Sequence, residues 1–191
     1  MENFANPDYF HKIVSGITTA VTEKGYDLLI RQLTVSEGFR HTLLDSHSDG
    51  FIIIAPTFNS LALKELEVRQ SPSVIINGRS SYLNWVDLDN VSAGLQITEH
   101  LIKLGHTKIA FIGGIGNNLN TQDRLKGYQL ALAKHGLVFS PDLVSYAYYH
   151  KNEAYKVVKN INLNGTTAIF ACNDLMAIGA IEAIKEKGLR V

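Results

Sequence analysis

Arg124 is the side chain of this sequence best equipped to grip a small molecule. Its guanidinium offers five donors in a fixed fork, able to clamp neighbouring hydroxyls or a carboxylate at two points. It falls near the predicted start of a helix, where the macrodipole disfavours a cation. That mild cost points to a use, against the alternative of a solvated surface charge. Asn173 and Asp174 follow an apolar run and precede a helical pattern, so one of the two is expected to cap that helix. Capping alone would account for Asp174. Asn173 both donates and accepts, which suits a sugar hydroxyl, and the two roles can coexist across the pair. Tyr9, Phe10, Trp85 and Tyr149 lie near predicted element ends, and their faces can stack on sugar rings or purines. Phe10 also begins an apolar helix stripe, so core packing competes there. Asn77 and Arg79 stand at the close of an apolar strand, and Asp87 is a weaker candidate beside Asp89, which is expected to cap the helix that follows.

Other chemistries find less support. Gly113-Gly114-Ile115-Gly116 invites a dinucleotide site, but Leu119 stands where the GxGxxG pattern needs its third glycine, and the next helix is expected late, near Thr121. His41 and His47 are six apart with no cysteine near, and the histidines form no metal pattern. No GxSxG elbow is present, and Cys172 lies inside an apolar run, packed rather than reactive. An enzyme on a Rossmann-like sheet finds no catalytic pair here, and neither cofactor nor metal is expected.

The elements that would position these residues are legible as alternating patterns. Phe51–Ala55, Ser73–Asn77, Lys108–Gly113 and Ala168–Cys172 are short, near-continuous apolar runs, as strands covered on both faces require. Tyr26–Leu33 is a fifth such run and Leu143–Tyr149 a weaker sixth. Between them, Phe10, Ile13, Val14, Ile17 and Val21 share one helix face. So do Val91, Leu95, Thr98, Leu101 and Ile102, then Leu125, Tyr128 and Leu132, and finally Leu175, Ile178, Ile181 and Ile184. Four of the helical patterns end at a glycine (Gly25, Gly105, Gly136 and Gly188), the residue that accepts the left-handed closing conformation. Such punctuation predicts an α/β fold of parallel sheets with helices on both faces. The glycine cluster after Lys108–Gly113 places the expected boundary between two lobes there, giving 1–113 and 114–191.

Composition narrows the partners. The 191 residues carry 18 basic and 18 acidic side chains, and a balanced charge argues against these residues themselves gripping a phosphate backbone. No run of about 18 apolar residues spans a membrane. The start lacks the basic and apolar regions of a secretory signal, and a single cysteine fits a reducing compartment, so a cytoplasmic location is expected. The chain opens on a helix with no strand before it and stops where another strand should begin, so a fragment of a longer protein is expected.

Several blocks together resemble the lactose-repressor (LacI/GalR) family of bacterial transcription regulators. They are Asn6-Pro7-Asp8-Tyr9-Phe10, Asp49-Gly50-Phe51-Ile52-Ile53, Val86-Asp87-Leu88-Asp89-Asn90 with Gly94, and His100 through Gly113 as HLxxLGHxxIAxIxG. Arg124 to Tyr128 as RxxGY and Ala168 to Ala180 as AxFxxNDxxAxGA complete the set. The resemblance implies a two-lobed, periplasmic-binding-protein-like type I fold, each lobe a parallel sheet flanked by helices and incomplete in this chain. It implies a homodimeric sensor that binds a small effector in the cleft between lobes. That effector would be a sugar or derivative, with a purine or nucleoside as the alternative. Operator DNA would be bound only through a headpiece that these residues do not contain, as in a repressor. The same resemblance makes Arg124 and Asn173 ligand contacts and aligns Tyr9, Trp85 and Tyr149 with pocket-lining positions. A sugar-binding protein of transport or chemotaxis, with the same architecture, is the competing reading.

Overall fold

The structure, a computed structural model, describes residues 7–31, 48–56, 61–163 and 165–191. The chain divides into two compact units, 1–49 and 50–191.

The described part of the first unit is dominated by helix α1, Pro7–Glu23. Its expected stripe is the face that is covered: Phe10, Ile13, Val14, Ile17 and Val21 are half-buried, while the residues around them are exposed. Gly25 closes the helix at φ 77°, and the Tyr26 amide donates back to the Val21 carbonyl at 3.0 Å. Of the strand expected over Tyr26–Leu33, the described residues 26–31 are not in strand conformation. Its last two residues, and with them His41 and His47, lie outside the described residues.

The second unit contains two three-stranded parallel sheets. The first is β1 (Phe51–Ile54), β2 (Ser73–Ile76) and β3 (Asn84–Val86), in that order, with helix α2 (Leu61–Arg69) between β1 and β2. The second has the order β5-β4-β6, with β4 at Ile109–Gly113, β5 at Val144–Tyr146 and β6 at Ala168–Ala171. Helices α3 (Asn90–Lys103), α4 (Leu119–Lys134), α5 (Lys151–Asn160) and α6 (Asp174–Glu186) alternate with them. Central β4 is buried at all five residues, as its unbroken apolar run requires. Phe111 packs edge-on against its cross-strand partner Phe170 at 5.1 Å and lies 5.5 Å from the Tyr128 ring. The Tyr128 hydroxyl, fully buried, donates to the Ile109 carbonyl at 2.9 Å.

Two expectations need correction. A boundary at 113/114 would leave β4 with the first sheet, yet β4 is the middle strand of the second. The change of sheet falls between β3 and β4, and α3 already packs on α4. The glycines that pointed to a crossover serve close packing instead. A Cβ on Gly114 would sit 2.1 Å from the Tyr149 ring, and one on Gly113 would lie 3.0 Å from Tyr146. The second correction concerns α6, which is turned by one residue from the predicted face. Met176, Gly179, Ala180 and Ala183 are buried, whereas Ile178 is 44% exposed. Small residues win the inner face because α5 comes so near that a Cβ on Gly179 would be 2.1 Å from the Lys151 carbonyl.

Candidate functional site

Parallel strands deliver their following loops to one edge of a sheet, and in the second sheet three such loops converge. After β4 the chain runs through Gly114 to Asn118, which caps α4 by accepting from the amides of Asn120 (3.0 Å) and Thr121 (3.3 Å). The helix thus begins at Leu119, earlier than the sequence indicated. After β5, Tyr148 and Tyr149 take left-handed conformations (φ 52° and 63°), costly for residues with a Cβ. That turn lays the Tyr149 ring over Gly114. The Tyr149 hydroxyl lies 2.7 Å from Thr121 Oγ1 and donates to Asn118 Oδ1 at 3.1 Å. After β6 come Cys172 and Asn173. Asn173 is the cap of α6, its Oδ1 accepting from the Met176 amide at 2.8 Å, and its Nδ2 donates to the Tyr149 carbonyl at 3.2 Å. Of the two capping candidates the structure selects Asn173. Asp174 is the first helical residue, exposed, where its charge suits the helix N-terminus.

Arg124 enters this cluster from the second turn of α4. Its Nε donates to Asn90 Oδ1 at 2.9 Å and another guanidinium N–H donates to the Cys172 carbonyl. Both partners are neutral, and the ion pairs among the described residues do not include Arg124. Part of the donor fork therefore remains unused. The position is fixed by a backbone contact: a Cβ on Gly94 would lie 2.3 Å from the Arg124 carbonyl oxygen, and one on Gly127 would be 2.2 Å from that of Val91. Helices α3 and α4 cross there with main chain against main chain. The charge is felt nearby. Burial raises the Tyr149 phenol, while the Thr121 hydrogen bond and Arg124 act to lower it. Burial likewise pushes the Cys172 thiol up to about 12 against Arg124, so this free cysteine is packed and unreactive.

The carboxyl ends of the first sheet meet α4 at two points. Beyond β3, Asp87 Oδ1 accepts from the Leu88 amide (2.8 Å) and from Asn90 Nδ2 (3.3 Å), which links Asp87 through Asn90 to Arg124. Its other oxygen, Oδ2, is buried without a hydrogen-bond partner, as is Asn120 Oδ1. Asp89, as expected, caps α3 by accepting from the Ser92 amide at 2.9 Å. Beyond β2, Asn77 is buried in a left-handed conformation (φ 59°), and Arg79 pairs with Asp123 of α4.

The structure therefore brings together Arg124, Asn173, Tyr149 and Asp87, and joins Arg79 to the same helix. Trp85 is not brought to this cluster: it lies half-exposed in the middle of β3, opposite Ile75 of β2. Tyr9 (exposed) and Phe10 (half-buried in its stripe) belong to the other unit. Asn90, Asn118, Thr121 and Asp123 were not anticipated. Asn118 carried a signal, an asparagine at the start of a helix; Asn90 and Asp123 act over 34 and 44 residues of chain and carried none.

Comparison with known proteins matches residues 4–191 to a family described as periplasmic binding proteins and the sugar binding domain of the LacI family. The HTH-type transcriptional regulator CelR of Thermobifida fusca is 28% identical over 200 residues, covering 98% of this chain and 58% of its own length. The HTH-type transcriptional repressor PurR of Pasteurella multocida is 29% identical over 192 residues, covering 96% and 58%. Among solved structures, a transcriptional regulator CelR–cellobiose complex superposes with a TM-score of 0.88 at 27% identity, over 100% of this chain and 61% of that one. A LacI-type regulator from Bacillus cereus subsp. cytotoxis gives 0.88 at 29%, over 96% and 68%. The chain thus spans somewhat over half the length of the curated relatives it matches.

Proposed function

The chain belongs to the family of periplasmic binding proteins and LacI-type sugar-binding domains, and from that premise we propose that it is the effector-sensing core of a bacterial transcriptional regulator. Its fold is the periplasmic-binding-protein-like α/β fold of parallel sheets flanked by helices. The lobe division is read between β3 and α3, at Asp87–Asp89. The effector is a sugar or sugar derivative, held where the carboxyl ends of the two sheets face each other. One observation carries this reading: Arg124 is tethered by Asn90 and the Cys172 carbonyl, beside Tyr149 and Asn173, with donors to spare.

A ligand changes the balance of two conformations only by binding them unequally. Contacts from Arg124 and Asn173 on one side and Asp87 and Asn77 on the other would favour an arrangement that keeps both within reach. In the intact regulator that shift would govern operator binding by a separate headpiece, in a homodimer in the cytoplasm. The apolar, partly exposed stripe of α6 around Ile178 supports self-association. Among the described residues no helix is long and apolar enough to cross a membrane. The matched relatives are named as regulators, which favours this reading over a transport protein.

A thermal-shift panel of mono- and disaccharides, cellobiose included, with purine bases and nucleosides alongside, tests the proposal. A ligand at 100 times its Kd adds about 2.7 kcal/mol, which should raise Tm by roughly 5–10 °C. The responding ligand should lose at least about tenfold in affinity on Arg124→Ala, one charge-assisted hydrogen bond being worth about 1.5–3 kcal/mol. Unchanged affinity would remove Arg124 from the site.

A further inference from the structure

Two guanidinium groups lie where the carboxyl ends of the two sheets meet, and they are treated differently. Arg124 donates to neutral acceptors and keeps its charge uncompensated by any ion pair among the described residues. Arg79, with its side chain 38% exposed, is paired with Asp123, whose side chain is only 14% exposed. Asp123 precedes Arg124 on the same helix turn, so one carboxylate cancels the second cation at the place where an anionic ligand would otherwise meet both. The remaining polar groups point the same way. Asp87 Oδ2 and Asn120 Oδ1 are buried acceptors that lack a donor. Asn120 stands three and four residues before Asp123 and Arg124, on their face of α4. A hydroxyl can donate to such oxygens and accept from Arg124 or Asn173. A fully ionised phosphate or carboxylate can only accept, and would stand beside Asp87 and Asp123.

We propose that Asp123 is a specificity-determining residue of this site: by pairing with Arg79 it tunes the site to a neutral, polyhydroxylated effector and against phosphorylated or acidic sugars. The proposal rests on the sugar-sensing reading for the place of the site, and its test is independent of which sugar is sensed. With Asp123 removed, Arg79 gains a free guanidinium fork and the site gains a positive charge. An anion that the wild-type protein ignores should then bind.

The full chain, as wild type, Asp123→Asn, Asp123→Ala and Asp123→Ala with Arg79→Gln, is titrated calorimetrically with glucose 6-phosphate and, separately, inorganic phosphate. Asp123→Ala is expected to bind glucose 6-phosphate at least tenfold more tightly than wild type, with Asn giving a smaller gain because its amide still accepts from Arg79. The double variant should return to the wild-type value. Equal affinity in wild type and both single variants overturns the proposal, and so does a gain that survives Arg79→Gln. Circular dichroism melts confirm that each variant folds. Failure of every neutral sugar on wild type would sink the sensing proposal, whereas an absent anion gain in Asp123→Ala would sink only the role of Asp123.

Discussion

Asn90 Oδ1 accepts the Arg124 Nε proton at 2.9 Å, while the amide nitrogen of the same Asn90 donates to Asp87 Oδ1 and to the Leu88 carbonyl. One fully buried amide therefore links the end of β3 to the cation of α4, and no atom of it is left over for a ligand. It is a positioning residue. Asn90→Ala should cost about 1.5–3 kcal/mol, the range for hydrogen bonds to a charged group, and lower Tm by roughly 3–12 °C. Effector affinity should fall with it, because Arg124 loses one of its two tethers. A melt and a titration check both; a melting point within about 1 °C of wild type would contradict the assignment.

The glycine crossing of α3 and α4 makes a pair of opposite predictions. Gly94→Ala drives a methyl to 2.3 Å from the Arg124 carbonyl oxygen, a main-chain atom that can yield only if the helices part. Overpacking of this kind costs about 1–3 kcal/mol, outweighing the helix preference of alanine. Gly16 of α1 has open space where its Cβ would go, so Gly16→Ala should stabilise by about 0.5–1 kcal/mol. Denaturant melts that move both variants the same way would refute the reading.

Asn173 can be divided into its two functions. Aspartate caps a helix about as well as asparagine, so Asn173→Asp should leave the start of α6 intact while removing the donor to the Tyr149 carbonyl. Asn173→Ala loses the cap as well and should cost about 1 kcal/mol. If the amide also serves the effector, both variants lose affinity, and alanine is the less stable of the two by about the worth of the cap. Retained affinity in both would confine Asn173 to capping.

Alkaline pH should unfold the protein through groups that burial keeps protonated. Burial raises Cys172 from 9.0 to about 12 and Tyr128 from 10.0 to about 12. In both cases the folded state holds its proton more tightly than the unfolded state. Their stabilising contribution is complete below about pH 9 and is lost as pH climbs toward 12. Equilibrium unfolding at stepped pH should show that decline, and Cys172→Ala should make it shallower between 9 and 12. The Cys172 thiol should also react slowly with an aromatic disulfide reagent until denaturant is added. Rapid native-state labelling would contradict its burial.

What could be read from the chain without its structure follows the range of each signal. The stripe Phe10, Ile13, Val14, Ile17 and Val21 and the glycine stops at Gly25, Gly105, Gly136 and Gly188 depend on neighbours a few residues away, and they reappear as a covered face and positive φ angles. The change of sheet did not announce itself, because β2 and β4 are both apolar runs and nothing local says which partners each will take. Gly114 was misleading for a related reason: the ring that demands it belongs to Tyr149, from another loop. At the site, Arg124 stood out by its own chemistry, whereas Asp123 beside it acquires meaning only through Arg79.

The contact between Gly114 and Tyr149 limits which substitutions the two positions can accept. The Tyr149 ring fits over position 114 only while no side chain projects from it. Substitution at either position alone leaves a void or a collision beside Asn173 and Arg124. The two sites are expected to drift as a couple, so that a new effector preference gained by altering Tyr149 would arrive together with a side chain at 114.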